Sequence, residues 1–235
     1  MLILAFETSA KSCSVAIHDG QKLLAESYQN SGLTHSQTLM VMAQDLLKVC
    51  GKTAGDVTHL AVAAGPGSFT GIRIGVAAAK GFAWGAEKPV CGVSTLESMA
   101  KSLGAWEGHV CCCMDARRNQ VYNAIFLAEE GKLTRVCEDR AIALADLKIE
   151  LEHIDGPIYL VGDGAALAHK TLSQDIPELI LPPEHRRHQR ASGVALAAME
   201  RGENADGAAL QPNYLRLSQA ERERMEKLQV KQSQK

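Results

Sequence analysis

Aromatic residues are scarce in this chain: two Trp, four Tyr and four Phe, 4% of 235 residues. A core built from it is aliphatic, and stacking platforms for bases are few. Charge of one sign is also missing. The formal net charge of −2 argues against nucleic-acid binding as the chain's own main activity. No Cys-x-x-Cys occurs, and the seven cysteines are an odd number, three of them consecutive as Cys111-Cys112-Cys113. A disulfide framework or zinc site is therefore not expected, and reduced, largely buried thiols in a cytoplasmic protein are. No apolar run approaches ~18 residues, so no membrane span is expected. The apolar run at residues 2–6 is too short for a signal peptide and lacks a basic lead.

What is present is enough hydrophobic residue, 46%, for one large domain or two small ones. The chain is organised around Gly65-Pro66-Gly67-Ser68-Phe69-Thr70-Gly71-Ile72-Arg73-Ile74-Gly75. Apolar residues 60–64 lead in as a strand, and an alanine-rich helix leads out. Pro66 fixes its own φ, Gly67 is free to take positive φ, and Ser68 or Thr70 suits the helix N-cap. The loop is neither a Walker phosphate loop, since no Gly-Lys-Ser/Thr follows, nor a dinucleotide fingerprint, since Thr70 stands at the third glycine position. It serves either as an anion site at a helix N-terminus or as a tight turn that lets a helix lie close to a sheet. Gly71, Gly75 and Ala79 share one helix face. Glycine inside a helix costs ~1 kcal/mol relative to alanine, so close approach of another backbone is expected there. Arg73, in the first turn, opposes the helix dipole and calls for an acidic or carbonyl partner.

Strands are expected at 2–6, 14–18 and 23–28, the last two joined by Asp19-Gly20. A helix at 35–50, a strand at 60–64, the glycine-rich helix, a strand at 89–93 and a helix capped by Ser94-Thr95-Leu96-Glu97 follow. The order then returns: strands at 109–115, 121–127 and 133–137, a helix at 144–151, a strand at 158–161, a turn at Gly162-Asp163-Gly164 and a helix at 165–172. A strand remnant at 180–181 and a helix at 192–201 follow. This is an architectural duplication: an α/β fold of two lobes, 1–105 and 106–217, each with a mixed sheet and flanking helices, plus a polar helix or tail at 218–235. The run His185-Arg186-Arg187-His188-Gln189-Arg190 offers His-x-x-His, yet two arginines lie between the histidines and no carboxylate cluster is near. A solvated basic surface is expected, with Arg186, Arg187 and Arg190 as the residues that would touch a nucleic acid if any do. Asp115, Arg117 and Arg118 read either as a cleft acid with two cations or as ordinary β-turn residues.

Phe6-Glu7-Thr8-Ser9, the loop from Gly65 to Gly75, Pro89-Val90-Cys91-Gly92-Val93-Ser94, Asp115-Ala116-Arg117-Arg118 and Pro212-Asn213-Tyr214-Leu215-Arg216 together resemble the TsaB family, formerly YeaZ, of bacterial tRNA threonylcarbamoyladenosine biosynthesis. The resemblance implies an actin-like (ASKHA, ribonuclease H-like) duplicated fold. It also implies a non-catalytic partner and activator of a paralogue, TsaD. TsaD transfers threonylcarbamoyl to N6 of the adenosine beside the tRNA anticodon, and a small ATPase, TsaE, completes the machinery. The paralogue's metal-binding His-x-x-x-His falls here on Thr95 and Met99, and the usual first-strand Asp is Glu7. Glu7, Thr8, Ser9 and Lys11 are then a vestigial nucleotide site. No cofactor is expected to bind this chain tightly, ATP and a divalent metal belonging to the partners. The family pairs through its first two helices, with itself as a homodimer or with TsaD. That gives His35, Leu39, Met42, Leu46, Gly71, Ile72, Arg73, Gly75, Ala79 and Phe82 as interface residues, with tRNA reached only through the complex. Gly75→Glu is expected to abolish pairing with the fold retained. The alternative is an actin-like ATPase or metallopeptidase-type enzyme in its own right.

Overall fold

The computed structural model describes residues 1–104, 107–201 and 209–216; the expected tail at 218–235 lies outside the described residues. Two sheets repeat one topology. In the first, β1 (Ile3–Glu7), β2 (Cys13–His18) and β3 (Leu23–Gln29) run antiparallel. β4 (His59–Gly65) and β5 (Val90–Ser94) add in parallel to β1, giving the order β3-β2-β1-β4-β5. In the second, β6 (Gly108–Asp115), β7 (Gln120–Glu129) and β8 (Lys132–Arg135) form the antiparallel part. β10 (Ile158–Val161) and β11 (Leu179–Ile180) are the parallel additions, and β9 (Arg140–Ala143) pairs with β7. The order β8-β7-β6-β10-β11 is the first sheet's order over again. β9 was not legible beforehand: it is four residues long, all half-buried or exposed, and its Ala141-Ile142-Ala143 runs straight into the apolar start of α4.

Helix α1 (His35–Val49) and α2 (Phe69–Ala86) cover one face of the first sheet, with Leu39, Leu47, Ile72 and Val76 packed on Phe6, Val15, Leu60 and Val62. The other face is covered by α7 (Ala191–Arg201), whose Ala191, Val194, Ala195 and Ala197 meet Ile3, Ala5, Ala61 and Ala63. A division at residue 105 puts α7 in the second lobe, yet the helix packs on the first sheet. Its alanine face lets it lie close to a sheet whose facing residues are also small. α3 (Thr95–Leu103) sits between the lobes, sharing an apolar cluster with Val110, Cys112 and Met114 of β6. α4 (Leu144–Leu151) and α5 (Ala165–Leu172) cover the second sheet, and the single turn α6 (Glu184–Arg187) follows β11.

The glycines of α2 face inward. A Cβ on Gly71 would fall well inside van der Waals contact with the Thr8 carbonyl oxygen, and one on Gly75 would do the same with Thr8 Oγ1. Thr8 Oγ1 in turn donates to the Gly71 carbonyl at 2.7 Å. The small-residue face is therefore a seam between α2 and the end of β1, not a docking surface. Gly71, Ile72, Gly75 and Ala79 are buried, as are Leu39 and Leu46 of α1, while Met42 and Phe82 pack against the same core. Of the expected interface residues only Arg73 is exposed; His35 is half-buried, its Nε2 2.8 Å from the Ala10 carbonyl oxygen. The expectation for Gly75→Glu reverses accordingly, because the substitution drives a carboxylate into a buried seam and should abolish folding. Gly71→Ala isolates the steric effect. It should cost about 1–3 kcal/mol of stability by overpacking, read as a lowered urea midpoint with unchanged m; a midpoint equal to wild type would remove the seam from the account.

Candidate functional site

A cleft of about 460 Å³ lies between the lobes. The first lobe supplies the β1–β2 turn, with Ser9, Ala10 and Lys11, and the start of α2. Gly67 sits at φ +156° where a Cβ would strike Ser9, and Ser68 N donates to the Ser9 carbonyl at 2.6 Å, so the two loops are laced together. Ser68 also caps α2, its Oγ accepting from Gly71 N at 3.3 Å. The second lobe supplies Asp115, Ala116 and Arg117 at the end of β6 and Asp163 after β10.

A strap, residues 209–216, closes one side. Asn213 N donates to the Ala64 carbonyl at 2.6 Å. Arg216 Nη1 donates to the Ala116 carbonyl at 2.6 Å. The ring of Tyr214 stacks on Phe69 at 3.9 Å, and Arg73 lies 4.3 Å over Phe69 while its Nε donates to the Tyr214 hydroxyl at 2.8 Å. The partner of Arg73 is thus a phenol and an aromatic face rather than the acid or carbonyl expected. The five-residue block Pro212 to Arg216 carried the signal in the sequence, but its contact with Arg73 joins residues 141 apart.

Glu7 and Thr8 do not line the cleft; Ser9 and Lys11 do. The Thr8 hydroxyl is spent on Gly71. Glu7 is fully buried; its Oε1 accepts from Ser9 N at 2.6 Å and its Oε2 has no hydrogen-bond partner. Burial pushes the carboxyl from 4.5 up to about 7, the Asp163 charge adds to this, and hydrogen bonding from Ser9 opposes it. Asp163, from the other lobe, is pushed upward by burial, against a hydrogen bond from Gln189 Nε2 at 3.1 Å. The sequence showed Asp163 only as a turn residue. Thr95 and Met99 are both buried, and Met99 belongs to the apolar cluster between the lobes. Among the described residues no group of three His, Cys, Asp or Glu side chains is placed to hold a metal.

The β6–β7 turn is strained. Arg117, Arg118 and Asn119 take φ of 62°, 56° and 56° in succession. A left-handed run of this kind costs roughly 1–2 kcal/mol per non-glycine residue. Arg117 N donating to Asp115 Oδ1 at 2.7 Å, and Gln120 N to the Arg117 carbonyl at 3.2 Å, hold the turn.

Behind the β4–α2 loop a second cavity of about 620 Å³ is ringed by an ionic network that ties the lobes. Ser94 Oγ, the cap of α3, also donates to Asp139 at 2.5 Å. Arg135 pairs with Asp139 at 2.7 Å and with Glu97 at 3.6 Å, and Arg201 reaches Glu97 at 3.2 Å. So Ser94 caps as expected, while the Glu97 carboxylate serves the network. In the basic run, Arg190 pairs with Glu26 at 3.0 Å and lies 4.5 Å over Tyr28, and His188 meets Glu184 at 3.1 Å. Arg190 is thus committed within the chain.

Two copies of one sheet topology facing each other across a cleft make this an actin-like, ribonuclease H-like protein. Its relatives narrow that class. The family model described as "TsaD: tRNA N6-adenosine threonylcarbamoyltransferase" matches residues 26–223. The chain is 34% identical over 223 residues to the tRNA threonylcarbamoyladenosine biosynthesis protein TsaB of Bacillus subtilis, covering 94% of this chain and 96% of that one. It is 37% identical over 169 residues to TsaB of Escherichia coli, covering 70% and 72%. In structure it is similar to YeaZ from Pseudomonas aeruginosa, at TM-score 0.68 and 25% identity over 91% of this chain and 99% of that one. The ethanolamine utilization protein EutJ from Carboxydothermus hydrogenoformans shares the fold at TM-score 0.51 and 14% identity, over 84% and 90%. The chain belongs to the TsaB family of tRNA threonylcarbamoyladenosine biosynthesis proteins.

The protonation of Glu7 has a measurable consequence. The unfolded carboxyl releases its proton near 4.5 and the folded one near 7. Between those values the folded state holds more protons, so stability falls as pH rises and the deficit is complete above about 7. A shift of that size corresponds to about 3 kcal/mol. Urea titrations at pH 5 and pH 8 should show wild type losing stability relative to Glu7→Gln at the higher pH; parallel pH profiles for the two proteins would contradict the buried, proton-retaining carboxyl.

Proposed function

We propose that this chain is the non-catalytic partner subunit in threonylcarbamoyl transfer to tRNA. It acts with a TsaD-like catalytic paralogue and a TsaE-like ATPase in the cytoplasm, and self-associates when alone. The observation that carries the reading is the donor set of the cleft. A divalent metal bridging nucleotide phosphates needs ionised oxygen or imidazole ligands aimed at one point. Here the first-strand acid is buried and retains its proton to near neutrality. The two positions that match the paralogue's histidines are a buried Thr95 and an apolar Met99. These residues do not fit a metal–nucleotide group, and the reading assigns ATP and metal to the partners.

The outward faces of α1 and α2 support docking. Their inner faces are committed to the core, yet Val41 is 56% exposed, Val49 81% and Trp84 89%. On α2 the exposed Arg73, Ala77, Gly81 and Trp84 form a flat stripe of small residues ended by an indole. Exposed large apolar residues grouped on two adjacent helices mark protein contact sites, and tryptophan is enriched among the residues that dominate such contacts.

Size-exclusion co-elution with the catalytic paralogue tests this. Trp84→Glu should weaken the pairing by about thirty-fold or more, the scale of a contact hot spot, with thermal stability within about 0.5 kcal/mol of wild type. Undiminished pairing by a folded Trp84→Glu protein would exclude this face.

A further inference from the structure

Three buried polar side chains come together where the chain passes between the lobes. Glu7 ends β1 in the first lobe, and Asp163 follows β10 in the second. Gln189 lies between α6 and α7, on the segment that leaves the second lobe for the first sheet. Glu7 and Gln189 are fully buried. We propose that this cluster is a proton-operated clamp: with a proton on Glu7 the lobes stay closed, and its loss lets them part along the α3–β6 contact while each lobe stays folded. The width of the cleft then answers to pH.

The hydrogen bonding carries the inference. Gln189 Nε2 donates to Asp163 Oδ1 at 3.1 Å, and Gly162 N donates to the Arg187 carbonyl at 2.5 Å, so the crossing segment is tied to the second lobe. On the first-lobe side, Glu7 Oε1 accepts from Ser9 N. Glu7 Oε2 and Gln189 Oε1 have no donor among the described residues. Buried acceptors without a donor are costly, and a proton on Glu7 turns one of them into a donor. The neighbouring charges do not help an ionised Glu7. Asp163 faces it from the second lobe, Asp115 at the end of β6 faces Asp163, and the buried Cys13 thiol of β2 lies close enough to feel the Glu7 charge. Two carboxyls on opposite lobes repel when both are ionised, and parting the lobes admits water to both. In the closed form Glu7 releases its proton at about 7, against 4.5 in water. The closed form therefore holds more protons between those values. The parted form gains about tenfold per pH unit across that window and levels off above it.

The chain carries its own probes. Cys112 of β6 is buried against α3, its thiol donating to the Leu96 carbonyl at 3.2 Å, so parting the lobes uncovers it. Cys111 and Cys113 are buried on the other side of the same strand, in the cluster with α4 and α5, and stay covered unless that lobe unfolds. The test is pulse labelling of the full chain with a maleimide, read residue by residue by tandem mass spectrometry and normalised to the denatured chain. In wild type at pH 8, Cys112 should label about tenfold or more faster than Cys111 and Cys113, the mark of an opening short of unfolding. Comparison with Glu7→Gln at the same pH cancels the rise of thiolate with pH. The ratio of wild-type to Glu7→Gln labelling at Cys112 should grow about tenfold or more from pH 5.5 to pH 8. Asp163→Asn keeps an acceptor for Gln189 and removes the facing charge, so its Cys112 should label more slowly than wild type at pH 8. It decides the matter if Glu7→Gln does not fold. Labelling of Cys112 in step with Cys111 would show that the lobes do not part separately and would overturn the clamp. So would a ratio that stays flat with pH, or an Asp163→Asn protein that labels as fast as wild type.

Discussion

The contact between Thr8 and the glycines of α2 fixes the geometry of everything around it. Thr8 directly follows the first strand, and its hydroxyl donates to the Gly71 carbonyl while Gly75 leaves room for the side chain. That single seam sets how close α2 lies to the sheet, where the β4–α2 loop crosses the β1–β2 turn, and therefore the floor of the cleft. It also places Glu7 under the loop, cut off from water, with one carboxyl oxygen lacking a partner. Helix propensity is given up at two glycines, roughly 1 kcal/mol each, in exchange for an approach no larger residue permits.

This seam shows how far the sequence could be read. The duplication, the element order and the glycine-rich loop were legible because hydrophobic period and turn chemistry are local. The need for close approach at Gly71 and Gly75 was legible too. Its direction was not: a small-residue face looks the same whether it meets another molecule or the chain's own first strand. β9 escaped because its short apolar stretch merges with the start of α4, and α7 was assigned to the lobe it follows in sequence rather than the sheet it covers. The cleft was partly legible. Ser9, Lys11, Asp115 and Arg117 were singled out and do line it. Asp163 was seen only as a turn, and the pairing of Arg73 with Tyr214 and of Ser94 with Asp139 joins residues too far apart for any spacing rule.

The family's chemistry and the geometry of this chain point the same way on the proposed reading. An actin-like cleft is present, but on that reading the positions that would grip a cation carry a threonine, a methionine and a carboxyl that burial pushes up to about 7. The lobes are instead tied by direct contacts: an apolar cluster around α3 and the Arg135 network. Apolar area is left on the outward helices, at Val41, Val49 and Trp84. On the proposed reading, such a scaffold serves by presenting surfaces to other molecules.

The most direct measurement is threonylcarbamoyl transfer to an unmodified tRNA, supplied with threonylcarbamoyl-adenylate, by this chain alone, by the catalytic paralogue alone, and by the two together with the ATPase. The account predicts no transfer by this chain alone and a rate in the full mixture well above that of the paralogue by itself. Transfer by this chain unaided, or a mixture no faster than the paralogue, would contradict it.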